Sequence, residues 1–323
     1  MAPGDRPEPP AASASSLVES VPNFSEGRRR PVIDAILAAV GRSGPVRCLD
    51  LSSDPDHNRS VLTLAGHPDA VRAALEALVL ACVERLDLRA HQGGHPRMGA
   101  VDVIPLVPIR GVTMEDCVRM ARDLGAAIAA RHGLPVYLYE KAASAPHRRN
   151  LAEIRKGEFE GFPDKIKDPL WKPDFGPDRV HPTAGCVAVG AREFLIAYNI
   201  NLASPDLDLA RAIARAIRES SGGFPCVKAM GVMLADRNLA QVSINLTDFR
   251  TTPLHTVFDR VRDEAARRGV AIASSEIVGL VPADALLDTA RHHLMLEDFS
   301  SSKVLERRLE EAGAEGAGAG RWR

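Results

Sequence analysis

The sequence predicts an α/β (α+β) chain built from two similar split-βαβ (ferredoxin-like) halves. Three observations carry this expectation. Short strand-like apolar runs alternate with apolar residues at helical spacing along most of the chain. The order strand, helix, strand, strand, helix, strand is read in the first half and again in the second. The two hairpin tips also share a rough pattern, Asp56-His57-Asn58-Arg59 against Asp236-Arg237-Asn238-Leu239.

The first half opens with a strand at 17–21. The polar turn Pro22-Asn23-Phe24-Ser25-Glu26-Gly27 then feeds a helix marked by Val32, Ile33, Ile36, Leu37 and Val40, a common setting for ligand contacts. Strand-like runs at 46–52 and 60–64 flank Ser53-Asp54-Pro55-Asp56-His57-Asn58-Arg59. Its turn formers and ionisable groups predict a hairpin with a functional tip. After Gly66, Pro68 and Asp69 open a helix whose Val71, Leu75, Leu78, Cys82 and Leu86 share one face. The run 101–109 is apolar enough for a central strand, although Pro105 and Pro108 lack ladder donors and argue for an irregular or edge position at its end. A helix at 113–131 and a strand at 136–139 follow.

The second half has a strand at 194–202, a helix carrying Leu207, Leu209, Ile213 and Ile217, and a hairpin of 227–234 with 240–246. A helix with Leu254, Val257, Phe258 and Val261, a strand at 270–277 and a closing helix at 283–294 complete it. The stretch 148–180 between the halves is rich in Lys, Asp, Pro and Gly and reads as a linker. Trp171-Lys172-Pro173-Asp174-Phe175 within it has the aromatic and charged residues that suit a flat ligand. A chain of 323 residues fits two domains of ordinary size. The expected boundaries are a disordered Ala/Pro/Ser-rich tail at 1–16, halves at 17–193 and 194–300, and a frayed tail at 301–323.

Composition narrows the function classes. Lys plus Arg (41) balance Asp plus Glu (42), so no net field draws the chain to nucleic acid or to a membrane surface, and a small-molecule partner is expected. Five widely spaced cysteines form no CxxC pair, which predicts a reducing, cytoplasmic setting. No membrane-length apolar run or secretion signal is read. Neither a phosphate-cradling Gly-x-x-x-x-Gly-Lys loop nor a Gly-x-Ser-x-Gly elbow occurs, which argues against nucleotide hydrolysis and serine esterase chemistry.

The chemistry concentrates in His91-Gln92-Gly93-Gly94-His95-Pro96-Arg97-Met98-Gly99-Ala100-Val101-Asp102. Glycines let a backbone approach a ligand closely, and the proline holds His95 extended. His95 suits proton transfer near neutral pH. Arg97 fits either a two-pronged grip on a carboxylate or a structural cap, and Asp102 either an orienter of a histidine or a turn residue. His91 and His95 are four apart, but the glycines and Pro96 break any helix that would align them as metal ligands, so no metal is expected. His292 and His293, adjacent on a helix, are expected to face different ways at the surface.

Seven segments in order, Val21-Pro22-Asn23-Phe24-Ser25-Glu26-Gly27, His95-Pro96-Arg97-Met98-Gly99-Ala100, Pro135-Val136-Tyr137-Leu138-Tyr139, Pro173-Asp174-Phe175-Gly176-Pro177, Asn199-Ile200-Asn201-Leu202, Asn238-Leu239-Ala240-Gln241-Val242-Ser243 and Val278-Gly279-Leu280-Val281-Pro282, resemble the glutamate formimidoyltransferase family, including the transferase part of formimidoyltransferase-cyclodeaminase. The resemblance implies transfer of a formimidoyl group between 5-formimidoyltetrahydrofolate and L-glutamate, with tetrahydrofolate as co-substrate. It implies two like subdomains with a ligand tunnel between them, assembled as a homodimer.

By position, His95 is then the catalytic acid/base, with Asp54 or Asp102 as the carboxylate behind it. Arg59, Arg97 and Arg179, with Lys172 after them, become the cations for substrate carboxylates. Gly176, Pro177, Asp178, Arg179, Val180, His181, Pro182, Thr183, Ala184 and Gly185 match the folate contact, and Trp171 or Phe175 would cover the pterin. Gln92 and Gly94 depart from the basic residue and glutamate common in the family. No cyclodeaminase domain is read, so release of ammonia would fall to a separate deaminase. Action on 5-formyltetrahydrofolate and non-catalytic folate binding are the alternative functions.

Overall fold

Pro22 splits the first strand of the computed structural model in two. β1 (Leu17–Ser20) and β2 (Asn23–Phe24) both pair antiparallel with β4 on one side and β5 on the other, and the Pro22 carbonyl accepts from Leu62 N at 3.0 Å across the break. The remaining elements of the first unit are α1 (Arg30–Gly41), β3 (Arg47–Asp54), β4 (Arg59–Gly66), α2 (Pro68–Arg85), β5 (Val101–Arg110), α3 (Met114–His132), β6 (Val136–Glu140), α4 (Leu151–Arg155), α5 (Glu158–Lys165) and β7 (Val187–Ala191). Residues 16–309 are described; the expected tail at 1–15 and the stretch 310–323 lie outside them. Ser16, counted with that tail, is buried and donates to the Gly111 carbonyl at 3.0 Å.

The first sheet runs β3, β4, the broken β1/β2, β5, β7, β6. Its first four positions are the expected split-βαβ core, and β7 and β6 extend it in parallel with β5. Strand β7 was not foreseen. Val187-Ala188-Val189-Gly190-Ala191 is a fully buried apolar run, of the length that a two-face-buried strand has. Pro105 sits inside the paired part of β5, opposite Gly190, whereas Pro108 lies past the end of β7 where β5 pairs only with β1. The irregularity expected at the strand end therefore falls on Pro108 alone.

Side-chain alternation sends Val136 and Leu138 to one face of this sheet and Tyr137 and Tyr139 to the other. The first face packs under α1, α2 and α3. The second is covered by Ile154 of α4 and Phe162 of α5, together with Met98, Val103 and Cys186. The stretch expected to be a linker is thus a pair of helices closing the second face. Fully burying a side chain such as Phe162 stabilises by about 1.5–3 kcal/mol. Trp171 borders the second-face cluster, lines a cavity of about 480 Å³ with Lys156, Lys165 and Asp168, and its carbonyl accepts from Tyr137 Oη at 2.7 Å, while Phe175 packs on the first-face cluster.

The chain divides into two units between Glu193 and Phe194. The second unit contains β8 (Ile196–Leu202), α6 (Leu207–Ile217), β9 (Val227–Leu234), β10 (Leu239–Leu246), α7 (Leu254–Ala266), β11 (Ile272–Val278) and α8 (Ala283–His293). Its antiparallel sheet runs β11, β8, β10, β9, the same split-βαβ arrangement as the core of the first unit. One face packs under the helices through Ile196, Ile200, Ile213, Val242 and Val257. Both hairpin tips turn through an asparagine in the left-handed region, Asn58 at φ 49° and Asn238 at φ 50°, a conformation that asparagine tolerates better than most residues. Residues 301–309, expected within a frayed tail, include a 3-10 turn at Ser301–Lys303 and an ion pair from Arg307 to Asp284 of α8 at 2.9 Å.

Backbone crossings fix where glycine is required. Gly99 and Gly185 bridge each other, and a Cβ on Gly99 would lie 1.9 Å from the Cys186 carbonyl oxygen, whereas a Cβ on Gly94 meets nothing closer than 3.7 Å. Gly99→Ala is expected to destabilise the chain by about 1–3 kcal/mol through overpacking, and Gly94→Ala by less than about 0.5 kcal/mol. Equal urea-unfolding midpoints for the two variants would contradict this.

Candidate active site

The loop that carries His95 is held at both ends by one neighbouring segment. Where α2 stops at Arg85, Leu86 and Leu88 are buried, and Leu88 N donates to the Thr183 carbonyl at 2.8 Å. At the far end Ala100 N donates to the Ala184 carbonyl and Cys186 N to the Met98 carbonyl, both at 2.9 Å. Between these anchors the loop closes on the β3–β4 hairpin tip. Gly94 N donates to the Asp56 carbonyl at 3.0 Å, Asn58 Nδ2 to the Gln92 carbonyl at 3.0 Å, and His91 Nε2 lies 2.8 Å from the Asn58 carbonyl. Gly93 passes so close that a Cβ would stand 2.1 Å from the His57 carbonyl oxygen. This zip brings Arg59, at the start of β4, onto His95.

His95 Nδ1 lies 2.7 Å from the Pro96 carbonyl, and Nε2 contacts Arg59 Nη1. A carbonyl only accepts, so Nδ1 carries the proton; a guanidinium only donates, so Nε2 presents its lone pair. The imidazole is thereby fixed as one neutral tautomer. Burial, then the Arg59 and Arg155 charges, push His95 down to about 4, against the opposing pull of Asp102 and the Pro96 carbonyl. Burial and the Arg155 charge likewise bring Arg59 down to about 10, with Asp102 opposing, and Arg59 Nε is buried without a hydrogen-bond partner.

Asp102 is 2 % exposed. Its Oδ1 accepts from Met98 N at 2.8 Å, and its Oδ2 lies 2.5 Å from Arg155 Nη2, a close ion pair out of hydrogen-bond alignment. It therefore balances the Arg59, Arg155 and His95 group electrostatically and makes no hydrogen bond to the imidazole. Asp54 also stands one residue away from the expected contact. Its Oδ1 accepts from Asp56 N at 2.8 Å and His57 N at 2.9 Å, its Oδ2 lies 3.2 Å from His57 Nδ1, and the His57 ring meets His95 edge-on at 5.7 Å.

Arg97 is used differently from the substrate cation it was expected to be. Nη1 and Nη2 grip the two oxygens of Glu160 at 2.8 and 2.6 Å, Nη1 also reaches Glu158 at 3.2 Å, and Nε donates to His91 Nδ1 at 3.1 Å. The two-pronged grip is thus made on the protein's own α5, leaving no open fork for a ligand. Arg155, Glu158 and Glu160 were missed because 148–180 was read as spacer. Leu151, Ile154 and Phe162, apolar at helical spacing, were the available signal.

The segment 176–185 meets the His95 loop through its second half. Gly176 turns at φ 90° after Phe175, Val180 borders the second-face cluster, and Asp178, Arg179 and Pro182 are exposed. Ala184 N donates to His181 Nδ1 at 3.0 Å, tightening the turn that carries Thr183, Ala184 and Gly185 against residues 98–100. Pro177 is half-buried between these stretches. Lys172 is exposed, and its carbonyl accepts from Arg148 Nη2 at 2.5 Å.

A cavity of about 310 Å³ opens beside the zip, lined by Ser25, Glu26, Arg28, Arg29, Asn58, Arg85, Asp87, Ala90 and His91. Its carboxylates are already engaged: Glu26 accepts from Arg28 N, Arg29 N and Arg29 Nε, and Asp87 pairs with Arg89. Of its three guanidiniums, Arg29 is thereby paired with Glu26 and Arg85 with Glu84 at 2.8 Å, whereas Arg28 donates to the Pro55 carbonyl at 2.6 Å and has no carboxylate partner among these contacts.

In the second unit, the sheet face opposite the helices carries a polar network. Gln241 Nε2 donates to Asn201 Oδ1 at 2.9 Å, Asn201 Nδ2 to Ser274 Oγ at 2.9 Å, and Asn199 Nδ2 to Glu276 Oε1 at 3.1 Å. Asn201 and Gln241 are buried although they belong to a sheet face, and Ser274 and Glu276 were not singled out from the sequence.

Comparison with known proteins follows the division of the chain. The formiminotransferase domain, N-terminal subdomain, matches residues 17–192, and the formiminotransferase domain matches residues 197–309. A glutamate formimidoyltransferase of Streptococcus pyogenes serotype M1 is 46% identical over 296 residues, covering 91% of this chain and 99% of its own length. One from Thermoplasma acidophilum is 48% identical over 299 residues, covering 92% and 98%. The formimidoyltransferase-cyclodeaminase of Sus scrofa is 46% identical over 292 residues, of which the match spans 88% of this chain and 54% of that longer protein. With both units matched in order and two relatives aligned almost end to end, this chain belongs to the formiminotransferase family.

Proposed function

We propose that the chain is a glutamate formimidoyltransferase, moving the formimidoyl group between 5-formimidoyltetrahydrofolate and L-glutamate with His95 as general acid/base. The observation that carries the chemical part is the fixed tautomer of His95, protonated at Nδ1 by its bond to the Pro96 carbonyl and presenting the Nε2 lone pair. The near-full-length relatives carry the substrate part.

In this reading the glutamate amine attacks the amidine carbon. His95 Nε2 takes the amine proton, and the resulting imidazolium returns one proton to N5 of the folate as the C–N5 bond breaks. One C–N bond forms, one breaks, and one proton is relayed. Asp102 offsets the positive charge that develops on His95, and Asp54 acts a step further out by holding His57 against the ring.

Arg59 has two functions here. In the free chain it covers Nε2; on binding, a substrate carboxylate draws it away and neutralises it. That uncovers the lone pair and removes one of the two guanidinium charges that depress His95. The base thus gains strength when substrate is in place. Arg28, at the mouth of the cavity and without a carboxylate partner there, takes the carboxylate-binding part expected of Arg97, and 176–185 with Arg179 provides the folate contact. Tetrahydrofolate is the co-substrate, no metal enters the chemistry, and the working form is a cytoplasmic homodimer.

Incubation with 5-formimidoyltetrahydrofolate and glutamate is expected to yield N-formimidoylglutamate; its absence, or equal turnover with 5-formyltetrahydrofolate, would overturn the assignment. His95→Ala is expected to lower kcat/KM by about 10²–10⁴, with unfolding midpoints unchanged.

The pH profile supplies a second check. His95 must be neutral to act as base, so kcat/KM, which reports the free enzyme, falls as pH drops through about 4. Arg59→Gln removes a charge that lowers His95, so its acid limb moves up toward the ordinary histidine range. A limb that stays in place would show that Arg59 does not tune His95.

A further inference from the structure

Helix α7 sets His255 and Asp259 one turn apart, and residues at that spacing share a helix face. The last turn of α8 crosses this face. His292 Nε2 lies 3.1 Å from Asp259 Oδ2, and His293 Nε2 lies 4.0 Å from Asp259 Oδ1. Both residues stay exposed at the surface, as expected of them, but both imidazoles reach the same Asp259 instead of diverging. One ligand atom from each of Asp259, His292 and His293 lies within 4.8 Å of the other two.

The rings are also packed on one another. His255 stacks on His292 with centroids 4.1 Å apart, and His292 and His293 meet edge-on at 5.0 Å. His255 Nδ1 is buried without a hydrogen-bond partner, its nearest carboxylate being Asp288 at 3.8 Å. Two imidazoles and a carboxylate thus converge, with the His255 ring stacked behind His292, and such a donor set is one that protein partners alone do not complete.

We propose that Asp259, His292 and His293 bind a first-row divalent cation of the Zn²⁺ class, with water as the fourth ligand, clipping the end of α8 to α7. Imidazole with carboxylate is a donor set suited to such ions. A tetrahedral centre with ligands at 2.0–2.1 Å spaces them at roughly 3.3–3.4 Å. The Asp259–His292 pair is already near that separation, and rotation of the half-exposed His293 closes the widest pair. Arg262 Nη1, 2.9 Å from Asp259 Oδ1, orients the carboxylate from outside and leaves Oδ2 to the ion. The site lies wholly within the second unit and owes nothing to the chemistry at His95.

Calorimetric titration of the untagged chain with zinc chloride, slightly above neutral pH, tests this. One Zn²⁺ per chain is expected, with a rise in thermal midpoint. Asp259→Asn on α7 and the double change His292→Ala with His293→Ala on α8 should each weaken binding more than about tenfold and abolish the rise. Absence of binding by the wild type, or undiminished binding by both variants, would overturn the proposal. Should a variant lose its far-UV circular dichroism, imidazole NMR of the wild type decides. Zinc must shift the His292 and His293 ring resonances, and unshifted rings refute the site.

Discussion

One buried carboxylate governs the His95 region. Asp102, at the start of β5, faces two guanidiniums and an imidazole that have been taken out of water together. Without a compensating negative charge those cations would repel one another in a medium that screens them poorly. Stranding one partner of a buried ion pair costs about 3–5 kcal/mol, so Asp102 is strongly coupled to the fold. It also accepts from Met98 N and so sets where the His95 loop rejoins the sheet. The balance is incomplete: His95 stays low and Arg59 stays below its ordinary range, which is the state that an incoming carboxylate would relieve.

The loop itself is shaped by close backbone approach. Gly93 against the His57 carbonyl and Gly99 against the Cys186 carbonyl let three chain segments meet at separations that a Cβ forbids. The hairpin tip, the His95 loop and the 181–186 turn then share backbone hydrogen bonds, so the geometry of His95 rests on main chain more than on side-chain contacts. Rigid support of this kind is what positions a proton-transfer group without a reorganisation cost at the moment of reaction. The two histidines of the loop differ in their partners: His91 donates to Asn58 and accepts from Arg97, and so holds the zip, while His95 meets the Pro96 carbonyl through Nδ1 and Arg59 through Nε2.

Helices α4 and α5 show how a polar composition conceals a packed element. Their lysines, glutamates, glycines and proline resemble a spacer, yet Ile154 and Phe162 close the second face of the sheet while Arg155 and Glu160 supply the counter-charges for Asp102 and Arg97. The same short stretch therefore contributes hydrophobic burial inward and electrostatic order toward the candidate site. Lys165 extends this role, its ammonium donating to three carbonyls at the end of α4 and lying 3.9 Å over the Trp171 ring.

What the sequence determined by itself was the local grammar. The periodicities of 136–139 and 254–261, the Pro68–Asp69 helix start, the hairpin between 227–234 and 240–246 and the glycine-flanked His95 were legible because each depends on residues near in sequence. The duplicated split-βαβ order followed from stringing these together. Tertiary structure alone decided which charges meet: Asp102 with Arg155 across 53 positions, Arg97 with Glu160, Arg59 with His95, and Asp259 with His292 and His293. A carboxylate's partner depends on distance and burial in the folded chain, and neither is written in spacing along the sequence. That is why His95, Arg59 and Asp102 could be singled out as candidates from the sequence, while Arg155 and the contacts among these groups could not.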